Sequence, residues 1–110
     1  MQIEKKERFT LISPDENSFK AFYDSFLIEE KKHQKENIII RVSNNFNITI
    51  EEFLLFLKIA TQKKENGTSF VIVNSAIDID DFPESFNVTP TLQEAEDVIE
   101  MEAIVRELGF

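Results

Sequence analysis

Apolar and polar residues alternate along this chain with two periods, and each change of period marks a new element. Residues 1–8 (MQIEKKER) are mostly charged and read as a short edge strand whose lysines discourage unwanted pairing. FTLIS (residues 9–13) reads as a second strand, close enough to form a hairpin with the first. Ser13-Pro14-Asp15-Glu16 has the form of a capping box with proline at the first helical position. The apolar stripe itself starts at Phe19 and continues through Phe22, Tyr23, Phe26 and Leu27, with Lys20, Asp24, Glu29 and Lys31 opposite. This spacing predicts an amphipathic helix that begins at Pro14 or Phe19 and ends near Lys35. NIIIRVS (residues 37–43) is β-branched and apolar on both faces except at Arg41, the pattern of a central strand covered on both sides.

A polar loop then turns abruptly into an apolar helix in NNFNITIEEFLLFLK (residues 44–58). Thr49-Ile50-Glu51-Glu52 is a second capping box. Ile50, Phe53, Leu54, Leu57 and Ala60 share one face, widened by Leu55, Phe56 and Ile59, which predicts the most buried helix of the chain. Asn66-Gly67 ends it by allowing positive φ. TSFVIVNS (residues 68–75) is a further buried strand. The irregular stretch 76–86 suggests a short helix closed by Pro83, and residues 86–89 a short strand stopped by Pro90, which has no amide to donate. Thr91-Leu92-Gln93-Glu94 is a third box. It opens a last helix, from Leu92 to about Leu108, expected to bury Ala95, Val98, Ile99, Met101 and Val105 before Gly109 ends it. Strands separated by helices imply parallel neighbours and right-handed crossovers. The expectation is one α/β domain over residues 1–110, with an antiparallel edge hairpin followed by alternating strands and helices.

Composition narrows the function classes. A hydrophobic content of 42% with eleven Phe supports a substantial core. The absence of Cys removes disulfides, thiolate metal sites and cysteine nucleophiles. A net charge of −9 repels phosphate backbones and anionic lipids, which argues against nucleic acid and membrane partners. The basic clusters Lys31, Lys32, Lys35 and Lys63, Lys64 fall at predicted helix C-termini, where cations offset the dipole. The charged amino-terminal segment has no apolar run behind it, so a cytoplasmic location is expected.

Candidate chemistry is sparse. His33 is the sole histidine, expected to be exposed in a charged helix end, and cannot build a hydrolytic metal centre alone. Asp78, Asp80, Asp81 and Glu84 match only a fragment of a calcium loop, without its central Gly or terminal Glu, and read as solvated carboxylates. Glu96, Asp97, Glu100, Glu102 and Glu107 read as an exposed helix face, or as an acidic docking surface for a basic partner. No catalytic residue, cofactor site or metal site is predicted, and the chain is not expected to be an enzyme.

The element order, together with NIIIRVSNNF, NITIEEFLLFLKIATQKKENG and TSFVIVNS, resembles the STAS domain family of bacterial anti-sigma factor antagonists. The ending FNVTPTLQEAEDVIEMEAIVREL adds Phe86, Val88, Thr91, Glu94 and Ala95 to the resemblance. It implies a STAS-like mixed sheet and a non-catalytic regulator in a partner-switching system. The implied partner is a protein, an anti-sigma factor that is also a serine kinase. The family carries a D-S-x-G type phosphoserine motif where a strand-end loop opens a helix. Asn47, Ile48, Thr49 and Ile50 stand approximately there in this chain, so Asn replaces Asp, Thr replaces Ser and Ile replaces Gly, while a register shifted by one residue puts Ile48 at the serine. The resemblance makes Thr49 the candidate phosphoacceptor, although a helix cap alone also accounts for a threonine there. It implies a partner surface of Ser43, Asn44, Asn45, Phe46, Asn47, Thr49 and Glu51. Two alternatives stand beside it. One is ribonuclease Z, whose His-rich metal centre this chain lacks, so that it would serve at most as an accessory subunit. The other is a structural, self-associating domain that forms a homodimer.

Overall fold

Three consecutive isoleucines favour an extended backbone, because their branched side chains pack well on a pleated surface. Ile38–Arg41 accordingly forms β3, the middle strand of a five-stranded sheet. The computed structural model describes residues 1–84 and 86–109. Strand β1 (Gln2–Lys5) pairs antiparallel with β2 (Thr10–Ser13), while β3, β4 (Phe70–Val73) and β5 (Val88–Thr89) continue parallel in the order β1-β2-β3-β4-β5. Helices α1 (Phe19–Glu30), α2 (Ile50–Leu54), α3 (Leu57–Glu65) and α4 (Leu92–Glu107) complete an α/β fold with a mixed sheet. Single 3-10 turns occur at Lys31–His33 and Ile79–Asp81.

Alternation along the strands sends successive side chains to opposite faces. Ile12, Ile38, Ile40 and Ile72 meet Phe22 and Phe26 of α1, Phe53 of α2, Ile59 of α3, and Phe56 from the junction between α2 and α3. Leu11, Ile39, Val71 and Val73 meet Ala95 and Ile99 of α4 on the other face. Three layers result, with α1, α2 and α3 on one side of the sheet and α4 on the other.

Three helical details differ from the sequence expectation. First, α1 starts at Phe19, capped by Ser18, whose hydroxyl accepts from the Ala21 amide at 3.2 Å. Ser13 does not cap a helix, because it ends β2 paired with Gln2. Asp15 and Glu16 instead hold the amino group of Met1, Glu16 at 2.8 Å. Second, the helix predicted to be continuous from Thr49 breaks between Leu54 and Leu57. The amides of Leu55 and Phe56 reach back three residues, to Glu52 and Phe53, and tighten this turn. The buried line therefore runs Phe53, Phe56, Ile59, Lys63, while Ile50 is 42% and Leu55 49% exposed.

Third, α4 buries Ala95 and Ile99, but Met101 is 67% and Val105 42% exposed. Beyond Ile99 the helix turns polar groups toward the strand ends. Glu102, expected on the solvent face, accepts from the Ser69 hydroxyl at 2.6 Å and from the Asn87 amide at 2.9 Å. Arg106 approaches the same Ser69 oxygen at 3.4 Å. The Thr91 hydroxyl caps α4 by accepting from the Glu94 amide at 3.2 Å.

The end of the sheet where β3 and β4 begin is closed by a polar junction. Lys63 is 1% exposed, and its Nζ donates to the backbone carbonyls of His33 and Glu36, both at 2.8 Å. Its charge thus satisfies the 3-10 turn after α1 and the loop that leads into β3 rather than its own helix, the role expected from sequence. Burial pushes the Lys63 pKa down, opposed by Glu30 and Glu36. His33 is largely enclosed, contrary to expectation. Its Nε2 lies 2.8 Å from Glu29 and its Nδ1 3.0 Å from Glu36. Glu36 also accepts from the Thr10 hydroxyl at 2.6 Å. The His33 bond holds the Glu29 carboxyl below its usual pKa, and Thr10 followed by His33 does the same for Glu36. Asn37 completes the closure, accepting from the Ser69 amide at 2.8 Å and donating to the Arg8 carbonyl at 2.9 Å.

Removing the Lys63 ammonium strands two carbonyls. Lys63→Ala and Lys63→Met are each expected to lose about 2–4 kcal/mol in urea denaturation, since bonds to a charged donor are among the stronger ones. Full stability in Lys63→Met would show that only the stem of the side chain matters. Because Glu29 and Glu36 have depressed folded values, the stability they contribute is complete above the ordinary carboxylate range. It is lost as pH falls through the lowered values. Urea titrations from neutral pH downward should therefore show a decline below about pH 4 that is shallower in Glu36→Gln.

Candidate functional site

Parallel strands deliver their C-terminal ends to one side of a sheet, so the loops that follow β3 and β4 become neighbours. Two side-chain hydrogen bonds tie these loops together, and a third fixes the β4 loop on itself. Buried Asn74, directly after β4, donates to the Val42 carbonyl at 3.0 Å and accepts from the Ala76 amide at 2.9 Å. Asn44 donates to the Ser75 hydroxyl at 2.8 Å. Between the loops lies an open cleft of about 340 Å³. Asn44, Phe46 and Asn47 form one wall and Asn74, Ile77 and Asp78 the other, with Ile48, Ile50 and Phe53 beside them.

The β3–α2 loop is held by its own turn. The Phe46 amide donates to the Ser43 carbonyl at 3.0 Å, and the Asn45 amide to the Ser43 hydroxyl at 3.2 Å. The half-buried Phe46 ring anchors the loop edge-on against Phe22, with centroids 6.4 Å apart. Asn47 leads into the second capping box, which forms in full. The Thr49 hydroxyl accepts from the Glu52 amide at 3.1 Å, and the Glu52 carboxylate accepts from the Thr49 amide at 3.0 Å.

Of the residues singled out from sequence, Asn44, Phe46 and Asn47 line the cleft. Ser43, Asn45, Thr49 and Glu51 lie exposed on the same loop and the first turn of α2, outside the lining. The opposite wall was not foreseen. Its signal was Asn-Ser directly after the buried run Phe70–Val73, which parallel pairing brings beside the β3 loop. Part of the acidic cluster belongs there too. Asp78 accepts from the Asp80 amide at 3.0 Å and so starts the 3-10 turn, while Asp78 and Asp81 give the cleft a negative rim.

The cleft offers amides, carboxylates and apolar surface, which suits recognition of another molecule. Among the described residues, no three His, Asp or Glu side chains are grouped so as to hold a metal ion. Nor is any helix among them long and apolar enough to cross a membrane. A larger groove of about 600 Å³ runs between the β1–β2 turn and α4. Long exposed side chains of both signs, Lys6 and Arg8 against Glu96 and Asp97, line much of it. The smaller cleft is the better-built site, because hydrogen bonds fix both of its walls.

Thr49→Ala removes the cap of α2 and is expected to lower stability by about 1 kcal/mol in thermal or urea unfolding, whereas Thr49→Ser should be nearly neutral. No protein-family model and no curated protein matches the chain.

Proposed function

We propose that this chain is a non-catalytic, STAS-like interaction module that docks a protein partner through the cleft between the β3 and β4 loops. In this reading it is an anti-sigma factor antagonist-like regulator of the bacterial cytoplasm, and its partner is an anti-sigma factor with serine kinase activity. Thr49 is the candidate switch.

The observation that carries the proposal is the position of Thr49. The residue is exposed beside the cleft, between the lining residues Ile48 and Ile50, and its hydroxyl oxygen starts α2. A change at one atom would therefore reach both the docking surface and the helix behind it. A phosphate on Thr49 would stand beside Glu52 and Glu51 in the first turn of α2. Like charges repel, so the Glu52 carboxylate would leave the Thr49 amide and the capping box would open. The helix N-terminus accommodates the dianion, which can take up amides of the first turn, so the expected consequence is new negative charge facing the partner.

The test compares capture of proteins from a native lysate by wild-type chain and by Thr49→Glu, with each captured protein identified and its affinity then measured in purified form. A saturable partner bound at least tenfold more weakly by Thr49→Glu supports the module and its switch. Equal affinity of the two forms removes the switch and leaves the module. Recovery of no protein by wild type removes both.

A further inference from the structure

The outward face of α4 is a second surface, on the opposite side of the sheet from Thr49, and it does not rest on the reading of the cleft. Positions 95, 99, 102 and 106 point toward the sheet and its strand ends, where Ala95 and Ile99 are buried and Glu102 and Arg106 meet Ser69. Met101, Ile104, Val105 and Leu108 therefore fall together on the far side, with the i, i+3, i+4, i+7 spacing of a helix-pairing seam. They are 67%, 50%, 42% and 64% exposed. This concentration of exposed apolar side chains covers two helical turns, about 10 Å of helix length.

Charge selects the occupant. Asp97 precedes Met101 by one turn on the same face, and Glu100 and Glu107 flank Ile104 on one side, where Arg8 is the basic residue that shares their groove. All three carboxylates are exposed. The only basic residue within α4, Arg106, points toward Ser69. A second copy docking through α4 would set carboxylates against carboxylates along the seam, and anionic lipid would be repelled in the same way. We propose that the outward face of α4 docks an amphipathic helix of a partner protein whose apolar stripe is bordered by Lys or Arg.

The probe is a helical peptide with leucines along one face and lysines on both borders, compared with a twin carrying glutamates in place of the lysines. Binding to the full chain is followed by fluorescence anisotropy, and the binding face by amide chemical shifts. The lysine peptide is expected to bind at least about tenfold more tightly than its twin, with shifts centred on α4. The triple substitution Met101→Ser, Ile104→Ser, Leu108→Ser changes only exposed residues and keeps every carboxylate. It should weaken binding of the lysine peptide at least about tenfold, and Glu100→Gln with Glu107→Gln at least about threefold. Equal binding of the two peptides, shifts elsewhere on the chain, or undiminished binding by the triple variant would overturn the proposal. A dimer in sedimentation that the triple variant abolishes would assign the face to a second copy and overturn it as well.

Discussion

The ring of Phe56 sits where α1, the break between α2 and α3, and β4 converge. It is fully buried, with Phe19, Tyr23, Phe26 and Phe70 at centroid distances of 5.9, 5.4, 5.4 and 6.0 Å. Edge-to-face aromatic pairs add to the area term, so this cluster binds three elements through one side chain. The tightened turn exists where Phe56 enters the core. A regular helix of 3.6 residues per turn would carry Phe53, Phe56 and Ile59 progressively around its axis, whereas a turn nearer 3 residues keeps Phe53 and Phe56 on one line. The orientation of α2, and with it the place of Thr49, follows from that packing.

The two ends of the sheet are built differently. Where β3 and β4 begin, backbone carbonyls of the segment between α1 and β3 are taken by the buried ammonium of Lys63, and His33, Glu36, Thr10 and Asn37 fill the remaining bonds. A buried charge requires such partners, because its desolvation is otherwise costly. Where β3 and β4 finish, Asn74 and Asn44 tie the loops, and a cleft stays open between them. One end is closed by polar bonds, and the other keeps an open cleft.

The acidic surplus is similarly divided. Some carboxylates are structural: Glu29, Glu36, Glu52 and Glu102 each accept bonds that fix a helix end or a loop. Others, including Asp97, Glu100 and Glu107, remain exposed on α4 beside an apolar stripe. Net charge alone does not separate these two groups, since each residue's role is set by what stands opposite it.

Local rules determined much of the fold. Branched runs became β3 and β4, Thr49 and Thr91 became caps, and Gly67 and Gly109 took positive φ after their helices. These outcomes depend on a few neighbouring residues, so they can be read along the chain. Three other features were decided only by tertiary structure. The start of α1 at Ser18 required pairing of Ser13 in β2, the burial of Lys63 required the end of another helix, and the cleft wall at Asn74 required parallel pairing of β3 and β4. The same holds for α4, where the sheet beneath its first half takes Ala95 and Ile99, but the strand ends beneath its second half favour Glu102 and Arg106. Periodicity gives the faces of a helix, but only the packed neighbours determine which face is covered.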